Sequence, residues 1–200
     1  MDVMTKQMIA WLSIGSTYTY LTAMRIQAVL NQHNIELTIK PFSIRDVMKE
    51  IDNIPFPPSK PWKVNYMWRD IERRAIRYGI PPPIVPAPYP LKDLDGANRV
   101  GMVMHDRGRY LEYFEATYRS WFLDGNEAGG ETNQRHYMST MGLDYDEVMA
   151  TACSDDIRDR YRANTSEALQ MGIFGAPSFT RGKEIFWGDD RLEDAIGFEK

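Results

Sequence analysis

The sequence predicts an α/β fold: a thioredoxin-like core of order βαβα…ββα, interrupted by an all-helical insertion. Three observations predict it. The opening of the chain alternates short apolar or period-two runs with amphipathic helical runs. The middle reads as helix after helix, entered through proline-rich connectors and with almost no strand signal. The end returns to a hairpin followed by a short helix.

The elements follow in order. Residues 8–12, Met-Ile-Ala-Trp-Leu, are an apolar run of buried-strand length, punctuated by Gly15-Ser16-Thr17. Leu21, Met24 and Ala28 then recur at helical spacing as far as Asn31, which predicts one helix. Residues 35–39 alternate at period two and read as a second strand. Ser43 caps a helix carrying Ile44, Val47, Met48 and Ile51 on one face. A strand–helix–strand unit of this length implies a parallel, right-handed crossover. Pro55, Pro57, Pro58 and Pro61 form one connector, and residues 81–90 hold six prolines in another. Between them, a helix over 62–78 puts Met67, Ile71, Ala75 and Tyr78 on one face and stops at Gly79. Further helices are expected over 94–104, 111–122, 135–141 and 156–171, with another opened by Asp144 and Glu147 in capping-box form. Phe174 to Phe179 leads through Arg181-Gly182-Lys183 into residues 184–187, a hairpin, and Gly188-Asp189-Asp190 with Glu193 caps the last helix. The expected division is a first core half over 1–52, a helical insertion over 53–172 whose last helix is shared with the core, and a second core half over 173–200. A chain of 200 residues can bury one core and carry such an insertion.

Composition narrows the function. Net charge is −4, so nothing here would release many phosphate counterions, and a nucleic-acid partner is not expected. No segment approaches the roughly 20 apolar residues of a membrane span, and no apolar run follows basic residues at the start. The expectation is a cytoplasmic protein. Cys153 stands alone, which excludes an intrachain disulfide, a C-x-x-C pair and a cysteine metal cluster; it reads as a small buried hydrophobe. His33, His105 and His136 show no metal-ligand spacing, so no metal is expected.

Ser16-Thr17-Tyr18-Thr19-Tyr20 occupies the junction after the first strand. In a thioredoxin-type core this junction is the active site, where thiol–disulfide enzymes place the first cysteine at a helix N-terminus. A serine hydroxyl without a base is a poor nucleophile, but it donates a good hydrogen bond to a thiolate. The stretch therefore reads as a seat for a sulfur the protein does not own. As a helix cap, Ser16 would need no such role.

Several segments together resemble the 2-hydroxychromene-2-carboxylate isomerases and the related kappa-class glutathione transferases. They are residues 16–21, Ser-Thr-Tyr-Thr-Tyr-Leu; Asn53 and the prolines after it; Lys63 with Tyr66-Met67-Trp68-Arg69-Asp70-Ile71-Glu72-Arg73; and Gly172 to Pro177 with Phe186 to Leu192. The resemblance spans nearly the whole chain in order. It implies a glutathione-dependent isomerase in which Ser16 bonds the glutathione sulfur and Ala176, before a cis Pro177, pairs with the peptide. It further implies that Asp189 and Asp190 receive the γ-glutamyl end, Lys63 meets the glycyl carboxylate, Asn53 bonds nearby, and Asp70 approaches across a homodimer. Thr17, Tyr18, Tyr20, Tyr66 and Trp68 would line the pocket of a small aromatic substrate. Many members have proline where this chain has Thr17. A kappa-like transferase or peroxidase, or a non-catalytic thioredoxin-like binding protein, are the alternatives.

Overall fold

The computed structural model describes residues 6–53, 56–84 and 86–199. Pro55 of the first connector, and the first residues on which the absence of a leader was read, lie outside these. Alternation along β1 (Lys6–Leu12) sends Met8, Ala10 and Leu12 to one sheet face, Ile9 and Trp11 to the other. β2 (Ile35–Pro41) pairs with it in parallel, from Lys6 opposite Ile35 to Leu12 opposite Pro41. On its other side β1 takes β3 (Ser178–Arg181) antiparallel, and β3 pairs with β4 (Glu184–Trp187) across Gly182, giving the order β2-β1-β3-β4.

Helices α1 (Thr19–Ala23), α2 (Ile26–Leu30) and α3 (Ile44–Glu50) complete the first half of the core. The inserted layer is α4 (Pro61–Tyr78), α5 (Leu94–Asp106), α6 (Tyr110–Leu123), α7 (Glu131–Thr140) and α8 (Tyr145–Ala152), followed by α9 (Asp155–Gln170). α10 (Leu192–Gly197) packs back on β1 and β3. The starts are capped as their chemistry dictates: Ser43, Asp93, Asp144 and Ser154 each accept the N–H three residues on. Gly79 ends α4 in the left-handed region at φ 69°. On one sheet face a single cluster of buried side chains runs from Met8 and Leu12 through Leu21 into Val100, Phe114, Tyr118 and Trp121 of the inserted helices. A smaller cluster, Trp11, Phe42, Ile44, Val47 and Ala168, fills the other face. Among the described residues no helix is long and apolar enough to cross a membrane.

Three local expectations are corrected. The helix expected from Leu21 to Asn31 breaks into α1 and α2 at Met24-Arg25, and the break lets the buried Arg25 side chain reach Asp189 and Glu193. The capping box before the last helix does not form. Asp189–Arg191 is a 3-10 turn without a side-chain cap, because Glu193, the partner expected for Asp190, pairs with Arg25, and Asp190 pairs with Arg191. Asp70 bonds Arg73, and Arg74 turns to Asp189. Cys153 is exposed, since it closes α8 where the helix end meets solvent.

Candidate functional site

The chain leaves β1 through a turn that brings Ser16 against the loop before β3. Gly15 takes φ +129°, a conformation open to glycine, and a Cβ there would stand 1.7 Å from Leu94 Cδ2. Buried Asn98 of α5 holds the turn like a strand neighbour: Oδ1 accepts the Ile14 N–H at 2.8 Å and Nδ2 donates to the Ile14 carbonyl at 2.9 Å. From α6, the buried Tyr118 hydroxyl donates to the Ser16 carbonyl at 2.8 Å and lies 3.4 Å from the Ser13 carbonyl. Ser16 itself is half-buried, and its hydroxyl donates to the Ala176 carbonyl at 2.7 Å. The Ala176–Pro177 bond is cis, as expected, and so is Tyr89–Pro90, which was not. The Pro177 carbonyl accepts from Gly188 N–H at 3.0 Å, tying this loop to the end of β4. Because α1 has only five residues, the dipole of a long helix, expected to act at Ser16, is weak here.

The other hydroxyls and rings of the stretch diverge. Thr17 is 4% exposed and donates to Met67 Sδ at 2.9 Å. Tyr20 lies in the core, stacked on Phe122 at 4.5 Å, with its hydroxyl on the Pro81 carbonyl; burial pushes its pKa up to about 12. Trp68 is 7% exposed and packs between Tyr89 and Phe122. These three face the interior. Tyr18 is half-buried and donates to Asp70 Oδ2 at 3.0 Å, and burial and then that bond raise its pKa. Its ring faces Phe56 at 6.0 Å, over which the Lys63 ammonium stands at 5.3 Å. Lys63 makes no ion pair among the described residues and is exposed. Tyr66 is 59% exposed beneath the Arg73 guanidinium, and Asn53 is exposed just after α3, its N–H on the Met48 carbonyl. Tyr18, two residues after Ser16 in sequence, thus meets Asp70 through its hydroxyl and Phe56, under Lys63, through its ring.

The two adjacent acids separate. Asp189 is 1% exposed and its carboxylate takes Arg25 Nε at 3.0 Å, Arg74 Nη2 at 3.1 Å and the Thr22 hydroxyl at 3.2 Å. Burial raises its pKa while the two guanidiniums oppose that rise. Burial works against the charge of Arg25, yet bonding to Glu193 and the charge of Asp189 lift its pKa. Asp189 is thereby occupied by the protein's own cations. Asp190 is exposed and pairs with Arg191 at 3.2 Å and with Arg74 at 3.7 Å. Arg25, Arg74, Asn98 and Tyr118 are the site-supporting residues that pattern reading passes over. A sole charge inside the apolar run 20–26 signalled that Arg25 needed a buried partner.

Two surface clefts of about 310 and 240 Å³ run along the outer edge of β2, sharing Ile39 and His105. Their cations are matched within the fold, Arg160 by Asp106, Arg109 by Glu112 and Lys40 by Glu167. Neither is lined by Ser16. Among the described residues no group of acids, histidines and cysteine is placed to hold a metal.

The model of the DSBA-like thioredoxin domain family matches residues 7–196. The chain is 27% identical over 196 residues to a protein of Sphingobium xenophagum named 2-hydroxychromene-2-carboxylate isomerase, covering 95% of this chain and 96% of that one. It is 25% identical over 201 residues to glutathione S-transferase kappa 2 of Caenorhabditis elegans, covering 92% and 87%. A solved structure of a 2-hydroxychromene-2-carboxylate isomerase superposes with a TM-score of 0.82 at 22% identity, over 96% of this chain and 94% of that one.

Proposed function

We propose that this chain, which belongs to the DSBA-like thioredoxin family, is an isomerase of the 2-hydroxychromene-2-carboxylate type that works with glutathione. The observation that carries the reading is the 2.7 Å bond from Ser16 to the Ala176 carbonyl. It sets a lone hydroxyl beside a cis-proline loop, where redox members of such folds need a thiol, and the only cysteine lies elsewhere, exposed at the end of α8. Names of relatives, an isomerase and a glutathione transferase, support the same reading.

The residues fit glutathione chemically. Exposed Lys63, with Asn53 in the same segment, suits the glycyl carboxylate, exposed Asp190 suits the α-ammonium, and the Ala176 main chain suits the peptide. Glutathione, when bound, would supply a thiolate able to add reversibly to a conjugated ring system, the chemistry that ring opening, bond rotation and elimination without net redox change would require. Ser16 has one proton to donate. In this structure it gives that proton to Ala176; once a peptide N–H occupies the Ala176 carbonyl, Ser16 is free to donate to a neighbouring sulfur and to favour its thiolate form. Tyr18, Phe56 and Tyr66 offer the accessible aromatic surface for the substrate ring, in place of the buried Tyr20 and Trp68. On the outer face of α4, Trp62, Tyr66 and Ile76 are 88%, 59% and 61% exposed, which supports assembly as a homodimer. A cytoplasm that keeps glutathione reduced is the expected setting.

Titration calorimetry with glutathione and with S-methylglutathione, alongside isomerisation of 2-hydroxychromene-2-carboxylate, tests the reading. The expected result is glutathione-dependent isomerisation and a clear preference for the free thiol. Ser16→Ala is expected to raise the pKa of the bound thiol and cut turnover while leaving affinity nearly intact. Indifference to S-methylation without turnover would return the chain to a binding role. Conjugation of small electrophiles without isomerisation would instead mark a kappa-like transferase.

A further inference from the structure

We infer that Tyr118, on the inserted α6, is a positioning residue for the chemistry at Ser16; the inference rests on the glutathione reading above. The Tyr118 hydroxyl is 0% exposed and donates to the Ser16 carbonyl at 2.8 Å. Burial raises its pKa above the usual phenol value, by more than the Gly15 main chain and the Thr19 hydroxyl lower it, so it stays a protonated donor. A trans peptide points its N–H opposite to its carbonyl. Drawing the Ser16 carbonyl inward therefore turns the Thr17 N–H outward and sets the direction in which the Ser16 side chain leaves the turn. Two residues earlier, Asn98 clasps both main-chain groups of Ile14. The turn is thus held at two points by α5 and α6, more than 80 residues away in sequence (|i−j| of 84 and 102). The Tyr118 ring is separately packed, against Tyr20, Phe114, Trp121 and Phe122. Removing its hydroxyl alone leaves that packing and frees the Ser16 peptide to rotate.

Tyr113 supplies the matched control. It lies on the same helix, is 0% exposed, and donates to the Ala97 carbonyl at 2.8 Å, which is not part of the turn. The experiment titrates the thiolate absorbance of reduced glutathione bound to wild type, Tyr118→Phe and Tyr113→Phe, with thermal melts of each. Wild type is expected to hold the thiol pKa below that of free glutathione. Tyr118→Phe is expected to weaken that hold roughly threefold to tenfold, the worth of one misplaced hydrogen bond, with the glutathione dissociation constant little changed. Tyr113→Phe should lower the melting temperature comparably and leave the thiol pKa alone. A wild-type-like pKa in folded Tyr118→Phe, or equal pKa shifts in both variants, overturns the positioning role while the glutathione reading stands. Failure of wild type itself to bind glutathione or to lower its pKa removes both. Asn98→Ser loosens the same turn by another route and should move the pKa in the direction of Tyr118→Phe; a folded Asn98→Ser that leaves it unmoved counts against the inference.

Discussion

Replacing Asp189 by Asn separates its structural work from ligand binding. The substitution keeps the side chain's size and removes one negative charge from a site that is 1% exposed. Two guanidiniums lose their shared partner: Arg25, with a side chain 8% exposed, and Arg74, 22% exposed. Breaking a buried ion pair by removing one partner costs about 3–5 kcal/mol. Arg25 keeps Glu193, and Arg74 keeps the Tyr78 hydroxyl and Asp190, so the lower figure, about 3 kcal/mol, is expected. At roughly 2–4 °C per kcal/mol for a chain of this length, the melting temperature should fall by about 6–12 °C. Calorimetric or circular-dichroism melts measure the fall, and glutathione titration below the transition measures binding. Asp189→Asn should bind glutathione nearly as wild type does when folded. A melt within about 2 °C of wild type, or a tenfold loss of affinity in a protein of unchanged stability, would refute the argument that Asp189 serves the fold and return it to the ligand.

Asp190→Ala and Lys63→Ala should behave in the opposite way. Each removes one charged contact typically worth about 1.5–3 kcal/mol, so the glutathione dissociation constant should rise roughly tenfold or more while the melt barely moves, since both side chains are exposed. Gly15→Ala combines a φ of +129° with a Cβ 1.7 Å from Leu94 Cδ2; melts should show a loss of at least about 2–3 kcal/mol, and glutathione binding should fall with it. Gly79→Ala is the comparison: its φ is +69° and nothing lies within 4 Å of the added carbon, so about 1–2 kcal/mol is expected and no change in binding.

Much of the architecture was legible in local chemistry. The apolar run 8–12 became part of β1 and the period-two run 35–39 part of β2, Ser43 and Asp144 became caps, and Gly79 and Gly172 became stops with positive φ. Such signals act within a few residues. What stayed hidden depends on contacts across the chain. Nothing beside Tyr20 or Trp68 tells that each ring ends against Phe122, so residues read as pocket lining became core. Asp189 resembled a helix cap because Glu193 stands near it in sequence, whereas its true partner, Arg25, is 164 residues away. Cys153 followed its residue type's habit of burial and was exposed by its place at the end of α8. Asn98 and Tyr118 carry no motif; only the docking of α5 and α6 on the serine turn gives them a task.

The bond between Ile14 and Asn98 has one more consequence. Main-chain amides in a sheet are shielded from solvent exchange by the neighbouring strand, so their protection reports on the sheet. The Ile14 amide is shielded by a side chain of α5 instead, at 2.8 Å. Its deuterium uptake should therefore keep time with the helical layer coming away from the strands, while Ala10 and Leu12, just before it in β1, keep time with the strands themselves. One residue becomes a gauge of whether the two halves of the molecule open together or in sequence.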